Sequence, residues 1–242
     1  MHRVIKGRVK ILVVRPYKGR FIFCKKSAFW LENLCLNFKI FVDLRFLISV
    51  INIETGNNFK ENIKMNYFLT GLPGIGKTTI IKKVIEKIER STCGFFTTEI
   101  RVGENRVGFS VKTLFGMEGV LAHKEFKSKY RMGSYGISVT GFEKIVSREL
   151  ERCLRGHSII IIDEIGKMEL FSRRFQELIL VCLDASNPVL GTIMHGYHPF
   201  VEKVKKREDV KIFEVDKQNR NQMVNILMGE FKKEKVNGDS PQ

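Results

Sequence analysis

The sequence predicts an α/β fold, a mostly parallel sheet sandwiched between helices with an added β-hairpin. Three observations predict it. From Met65 onward, short apolar runs alternate with helix-length segments, as strands joined by crossover helices do. Residues 158–162 are four isoleucines behind a serine, the signature of a central parallel strand buried on both faces. The first short strand also runs directly into a glycine-rich loop and then a helix.

In order, the reading places a strand at 67–70, the glycine loop, and a helix at about 77–90. Segments 93–100 and 106–114, around Gly103-Glu104-Asn105, form an antiparallel hairpin. A helix at 142–155 leads into the isoleucine strand. The helix at 172–185 takes Ser172 as its N-cap. A strand at 189–194 follows, then a helix at 199–207 opened by Pro199, a strand at 210–215 and a terminal helix at 219–233.

Residues 1–64 read differently. They hold 13 Lys/Arg against 4 Asp/Glu, a net of +9, which leaves 16 − 9 = +7 for residues 65–242. Segments 9–14 and 20–24 flank Pro16-Tyr17-Lys18-Gly19 as a hairpin would. Residues 28–53 are mixed and apolar, and 54–64 are polar and linker-like around Gly56-Asn57-Asn58. The chain therefore divides into a basic N-terminal extension (1–64), a catalytic α/β domain (65–232) and a flexible tail (233–242). Two accounts of the extension stand side by side: an upstream start codon that translates sequence the functional protein lacks, or apolar segments that cover an exposed sheet edge or helix face of the domain.

With 43 % hydrophobic and 28 % charged residues the chain affords a packed core, so global disorder is excluded. The five cysteines (Cys24, Cys35, Cys93, Cys153, Cys182) are scattered and form no C-x-x-C pair. They read as reduced thiols in a cytoplasmic protein. No apolar run approaches the ~20 residues needed to span a bilayer, so no membrane is expected as a partner.

Gly71-Leu72-Pro73-Gly74-Ile75-Gly76-Lys77-Thr78 fits G-x-x-x-x-G-K-[ST], the P-loop or Walker A pattern. Its glycines let backbone N–H groups converge on phosphate oxygens, and the helix that follows adds its positive dipole end. Lys77 would reach the β- and γ-phosphates, and the Thr78 hydroxyl would bind Mg²⁺. Asp163, after four buried aliphatics, stands at the carboxyl end of the central strand as a Walker B acid, where it would complete the Mg²⁺ shell. The neighbouring Glu164 is the more informative residue. A kinase has no use for a base aimed at water, whereas hydrolysis does.

These motifs resemble the thermophile nucleoside-triphosphate phosphohydrolase family. The matching stretches are GLPGIGKTT (71–79), GFFTTEIR (94–101), NRVGF (105–109), RMGSYG (131–136), DEIGKMEL (163–170), LGTI (190–193) and DVKIFEV…QNRN (209–221), in family order. The resemblance implies a RecA-like α/β/α core and Mg²⁺-dependent hydrolysis of ATP, GTP and other NTPs to NDP and phosphate. It also extends the nucleotide contacts to Thr79, Ile165 and Gly166. Residues 1–64 have no counterpart in the family's short N-terminus.

Glu99 and Arg101, on one hairpin strand, either contact nucleotide or pair with each other. Arg131, in a glycine-flanked loop, is a candidate transition-state cation or a plain solvated arginine. His195 stands at a strand's carboxyl end, where open α/β sheets bind ligands, and is either a site residue or an ordinary loop histidine. Lys203, Lys205, Lys206 and Arg207 read as a solvated helix face. Two rival functions remain, a small-molecule or nucleotide kinase and a nucleic-acid-associated NTPase switch. No nucleic-acid-binding motif supports the second.

Overall fold

The computed structural model describes residues 10–17, 20–27 and 64–238, with side chains for 64–233. Two compact units divide between Lys60 and Glu61. Within the first, β1 (Lys10–Tyr17) pairs antiparallel with β2 (Arg20–Ser27), and Tyr17 sits opposite Arg20. The expected N-terminal hairpin is present, with Pro16 inside the strand rather than in the turn. The expectations for 28–63 lie outside the described residues.

The second unit holds nine strands in one sheet, in the order β11-β3-β10-β9-β4-β5-β6-β8-β7. Its first half is parallel: β11 (Val210–Glu214), β3 (Asn66–Thr70), β10 (Val189–Ile193), β9 (Ile159–Ile165) and β4 (Thr92–Val102). From β4 the sheet turns antiparallel through β5 (Asn105–Thr113), β6 (Glu118–His123), β8 (Tyr135–Ile137) and β7 (Arg131–Met132). The hairpin β4–β5 is thus an extension of the main sheet. The last three strands of that extension went unread in the sequence, because they are short and lie among lysines and glycines.

The alternation of β9 explains the layers. Ile160 and Ile162 enter one core with Phe142, Leu150, Phe175 and Ile179, from α2 (Val139–Cys153) and α3 (Arg173–Asp184). Ile159 and Ile161 enter the other with Ile81, Val84 and Leu227, from α1 (Lys77–Lys87) and α5 (Met223–Gly238). All four isoleucines are buried, each contributing about 1.5–3 kcal/mol of transfer free energy. The result is an α/β/α sandwich. α4 (Pro199–Lys205) covers the first core through Phe200, Val201 and Val204. Ser172 caps α3 by accepting from the Phe175 N–H at 2.9 Å, as its position predicts. The terminal helix continues to Gly238, past Lys233.

The amino ends of the strands are tied by a polar cluster. Arg207 donates to both oxygens of the buried Asp209 at 2.8 Å each, and to Asp184 at 2.7 Å. The buried Asn66 amide donates to Asp209 and Leu183, and its oxygen accepts from the Val189 N–H. Arg207 is therefore part of the fold, which corrects its reading as a solvated helix cation. Lys64 donates to the last carbonyls of α3 (Leu183 at 3.1 Å, Ala185 at 2.7 Å), a C-terminal cap. Burial pushes the Lys64 ammonium down to about 8, against the pull of Asp209.

A second correction concerns the thiols. Cys93 of β4 and Cys153 of α2 are joined as a disulfide, with Cα atoms 5.8 Å apart and a sequence separation of 60. α2 packs over β4, so the fold brings together two cysteines whose spacing signals nothing in sequence. Cys182 is free and buried, its thiol pushed up to about 12 by burial.

Candidate active site

Both motif-bearing strands end on the same edge of the sheet. β3 delivers the glycine loop and β9 the acidic pair, with β10 lying between them. Gly74 and Gly76 have φ of 76° and 108°, conformations that side chains rarely adopt, and these fold the loop over the start of α1. Gly76 is the N-cap of α1 and offers no side chain to the first-turn N–H groups, nor does that turn carry an acid. By contrast α3 and α4 are capped by Ser172 and His198. A helix start left uncapped and positive in this way suits an anion. Lys77 curls back over the loop, its Nζ donating to the carbonyls of Gly71 (2.9 Å) and Leu72 (3.2 Å).

Asp163 is almost wholly buried. Its Oδ1 accepts from the Thr192 hydroxyl of β10 at 2.5 Å. Its Oδ2 makes no hydrogen bond of normal geometry, although the Thr78 hydroxyl lies near enough to favour the ionised form. Burial raises the Asp163 carboxyl, against the Thr192 and Thr78 hydroxyls and the Lys77 charge. Two side-chain oxygens among the described residues are buried without a partner, Thr70 Oγ1 at the end of β3 and Asp163 Oδ2. An orphaned carboxylate oxygen beside a threonine hydroxyl at a helix start is a donor set for a small hard cation that keeps most of its shell from water and phosphate.

Glu164, joined to Asp163 by a cis peptide, is half-buried. Burial pushes its carboxyl up, Lys77 pulls it down and Asp163 adds to the rise. Lys77 thus acts on both acids, so the loop and the strand end form one electrostatic unit. Thr79 is exposed on the first turn of α1, while Ile165 and Gly166 are buried below Glu164.

The sequence reading missed Glu169. It opens a 3₁₀ turn (Glu169–Phe171) that folds back beneath Gly166, and it is buried. A Cβ on Gly166 would stand 2.8 Å from Glu169 Oε2 and 3.4 Å from the Glu164 side chain, so any larger residue there would push the Glu169 carboxyl aside. Thr97 Oγ1 donates to the Asp163 carbonyl at 2.8 Å and lies 3.5 Å from Glu169 Oε1. Burial first, then the nearby Glu164 charge, push the Glu169 carboxyl up to about 8. A signal existed in the sequence, an acid embedded between Met168 and Leu170 with Phe171 next.

The sign of its effect on stability follows. Glu169 titrates at 4.5 when free and about 8 when folded, so the native state holds a proton that the unfolded chain has released. The stability it contributes is full below about 4.5 and falls as pH rises towards 8. Glu169→Gln keeps the neutral shape and removes the titration. Urea melts at pH 5 and pH 8 should show a gap opening in favour of the variant, by roughly 3 kcal/mol. Parallel pH profiles would rule out a protonated Glu169.

Other candidates are placed elsewhere. Glu99 is held by Arg101 (2.6 and 2.9 Å) and Arg106 (2.7 Å), and those hydrogen bonds keep its carboxyl below the usual range. Glu99 and Arg101 thus pair with each other, as one of the two readings expected. Arg131 braces its own loop through the Phe126 and Ser134 carbonyls. It sits on β7, seven strand positions from β3, on the order of 30 Å along a sheet. As arranged here, it does not reach the phosphate loop. His195 does lie at the loop's mouth, with Nδ1 3.9 Å from Glu214 Oε1.

A glycine loop feeding a helix, opposite an aspartate–glutamate pair across one intervening strand, defines a P-loop nucleotide-binding α/β protein. The comparisons place it more narrowly. The model of a family described as NTPase matches residues 66–228, and the chain belongs to that family. It is 45 % identical over 168 residues to the nucleoside-triphosphatase THEP1 of Thermotoga maritima, covering 69 % of this chain and 96 % of that protein. Against the human cancer-related nucleoside-triphosphatase it is 40 % identical over 177 residues, covering 65 % and 91 %. The crystal structure of THEP1 from Aquifex aeolicus superposes with a TM-score of 0.63 at 36 % identity, over 67 % of this chain and 96 % of that one. The solution structure of the human protein gives 0.62 at 35 %, over 70 % and 98 %. Among the described residues, no helix is long and apolar enough to cross a membrane.

Proposed function

We propose that this protein hydrolyses nucleoside triphosphates to diphosphate and phosphate, with Mg²⁺ as cofactor. The observation that carries the reading is the half-buried Glu164, held beside Asp163 and within the field of Lys77. The loop amides and Lys77 neutralise the β- and γ-phosphates. Glu164, raised above the usual carboxylate range, takes the proton of a water attacking the γ-phosphorus in line. Thr78 and Asp163 Oδ2 are the donors that would hold Mg²⁺. Bound there, the ion would neutralise the charge that develops on the phosphates. Thr192 fixes Asp163 through Oδ1, leaving Oδ2 for that role.

Phosphate release from ATP, GTP, CTP and UTP, with Mg²⁺ and with excess chelator, tests the reading. Phosphate should appear from several NTPs and stop on chelation. Transfer of the γ-phosphate to an added alcohol or nucleotide, with none to water, would establish a kinase instead.

A further inference from the structure

Glu169 is a buried acid that the hydrolysis described above does not use, although it lies beside the two acids that it does. We propose that Glu169 and Thr97 are positioning residues for Glu164: their hydrogen bonds clamp the backbone on both sides of that glutamate and so aim its carboxylate. This rests on the hydrolysis reading and adds how the base is held.

The clamp has three links. Phe96 opposite Asp163 is the last paired position between β4 and β9. One residue further on, the Thr97 hydroxyl donates to the Asp163 carbonyl at 2.8 Å, which fixes the peptide leading into Glu164. A hydroxyl carries one hydrogen, and this short contact takes it. Thr97 Oγ1 therefore turns a lone pair to Glu169 Oε1, 3.5 Å away, and the carboxyl supplies the proton of that looser link. Burial beside Glu164 and Asp163 keeps the proton on Glu169. Beyond Glu164, the backbone of Gly166 hydrogen-bonds the same carboxyl. A neutral carboxyl both donates and accepts, so one side chain ties Thr97 to Gly166; an apolar residue of similar size would tie neither.

The surroundings suit such a clamp. The turn that carries Glu169 is closed on itself, with Leu170 N–H on the Gly166 carbonyl (3.1 Å) and Ser172 N–H on the Glu169 carbonyl (3.0 Å). The Asp163 carboxylate is held separately, by Thr192. Losing the clamp should therefore loosen the base and spare the metal aspartate, so that turnover falls and nucleotide binding does not.

Steady-state phosphate release and Mg·ADP calorimetry on the full chain compare wild type with Thr97→Val, Thr97→Ser, Glu169→Leu and Glu169→Gln. Thr97→Val and Glu169→Leu should each lose about tenfold to a hundredfold in kcat, with KM and ADP affinity within a few-fold of wild type. The double variant Thr97→Val, Glu169→Leu should lose no more than the worse single one, because both cut the same chain. Thr97→Ser keeps the hydroxyl, and the Glu169→Gln amide still donates and accepts, so both should recover most of the rate. Full kcat in Thr97→Val, additive losses in the double variant, no recovery with Ser and Gln, or a fall in ADP affinity matching that in kcat would each overturn the inference. Thr97 is only half-buried, so the Thr97 variants decide alone if Glu169→Leu loses its circular dichroism spectrum. A wild type that releases no phosphate would overturn the hydrolysis reading and this one with it. An active wild type beside fully active clamp variants would overturn this one alone.

Discussion

Glu164→Gln is expected to bind Mg·ATP within a few-fold of wild type and to lose about 10²–10⁴ of its turnover. The amide keeps the size of the carboxylate and its place above Gly166, so the acids around it stay where they are. It cannot take a proton from water, so binding and chemistry should separate. The environment sharpens the case. Burial and Asp163 raise the Glu164 carboxyl while Lys77 restrains it. A carboxylate raised in this way takes a proton from water more readily than an exposed one. Single-turnover rates and equilibrium nucleotide binding, measured on the same samples, check the split. A variant hydrolysing within a few-fold of wild type would assign the water to another residue.

How much of this site was legible depends on how local each part is. The phosphate loop is contiguous, and its residue types follow from backbone geometry and charge, so residues 71–78 could be placed from the sequence. Asp163 and Glu164 were legible because four isoleucines fix the strand and hence its carboxyl end. Glu169 was not, since nothing in its spacing says that a 3₁₀ turn carries it under Gly166 into a site already holding two acids. Arg207 misled for a related reason. Its neighbours are lysines on a helix, but its partners are Asp209 beyond the helix and Asp184 on another. The Cys93–Cys153 pairing depends on α2 crossing β4, a tertiary fact without a local signature. The fold itself was readable to the level of layers and hairpin. The antiparallel extension β6–β8 was lost because strands of two to six residues carry too little periodicity.

Lys77→Ala should abolish measurable hydrolysis, a loss of roughly 10³-fold or more, while leaving the circular dichroism spectrum unchanged. Among the described residues, the ammonium makes two hydrogen bonds, both to carbonyls of its own loop, so truncating it disturbs little else. Its electrostatic reach is wider. Lys77 lowers both Asp163 and Glu164, and in the proposed reaction it would face the transferring phosphate. Removing it takes away charge neutralisation where negative charge builds up, and it lets both carboxyls rise further. The second effect carries a sign of its own. Whatever activity survives should need a higher pH than wild type, because the base must be ionised to act. Lys77→Arg, which keeps the charge but not the compact ammonium, should restore the pH profile more than the rate. Pre-steady-state phosphate release from pH 5 to pH 9 on all three proteins tests this. Near-wild-type turnover in Lys77→Ala with an intact fold would remove the phosphate-loop assignment. An unshifted profile would separate Lys77 from the two acids.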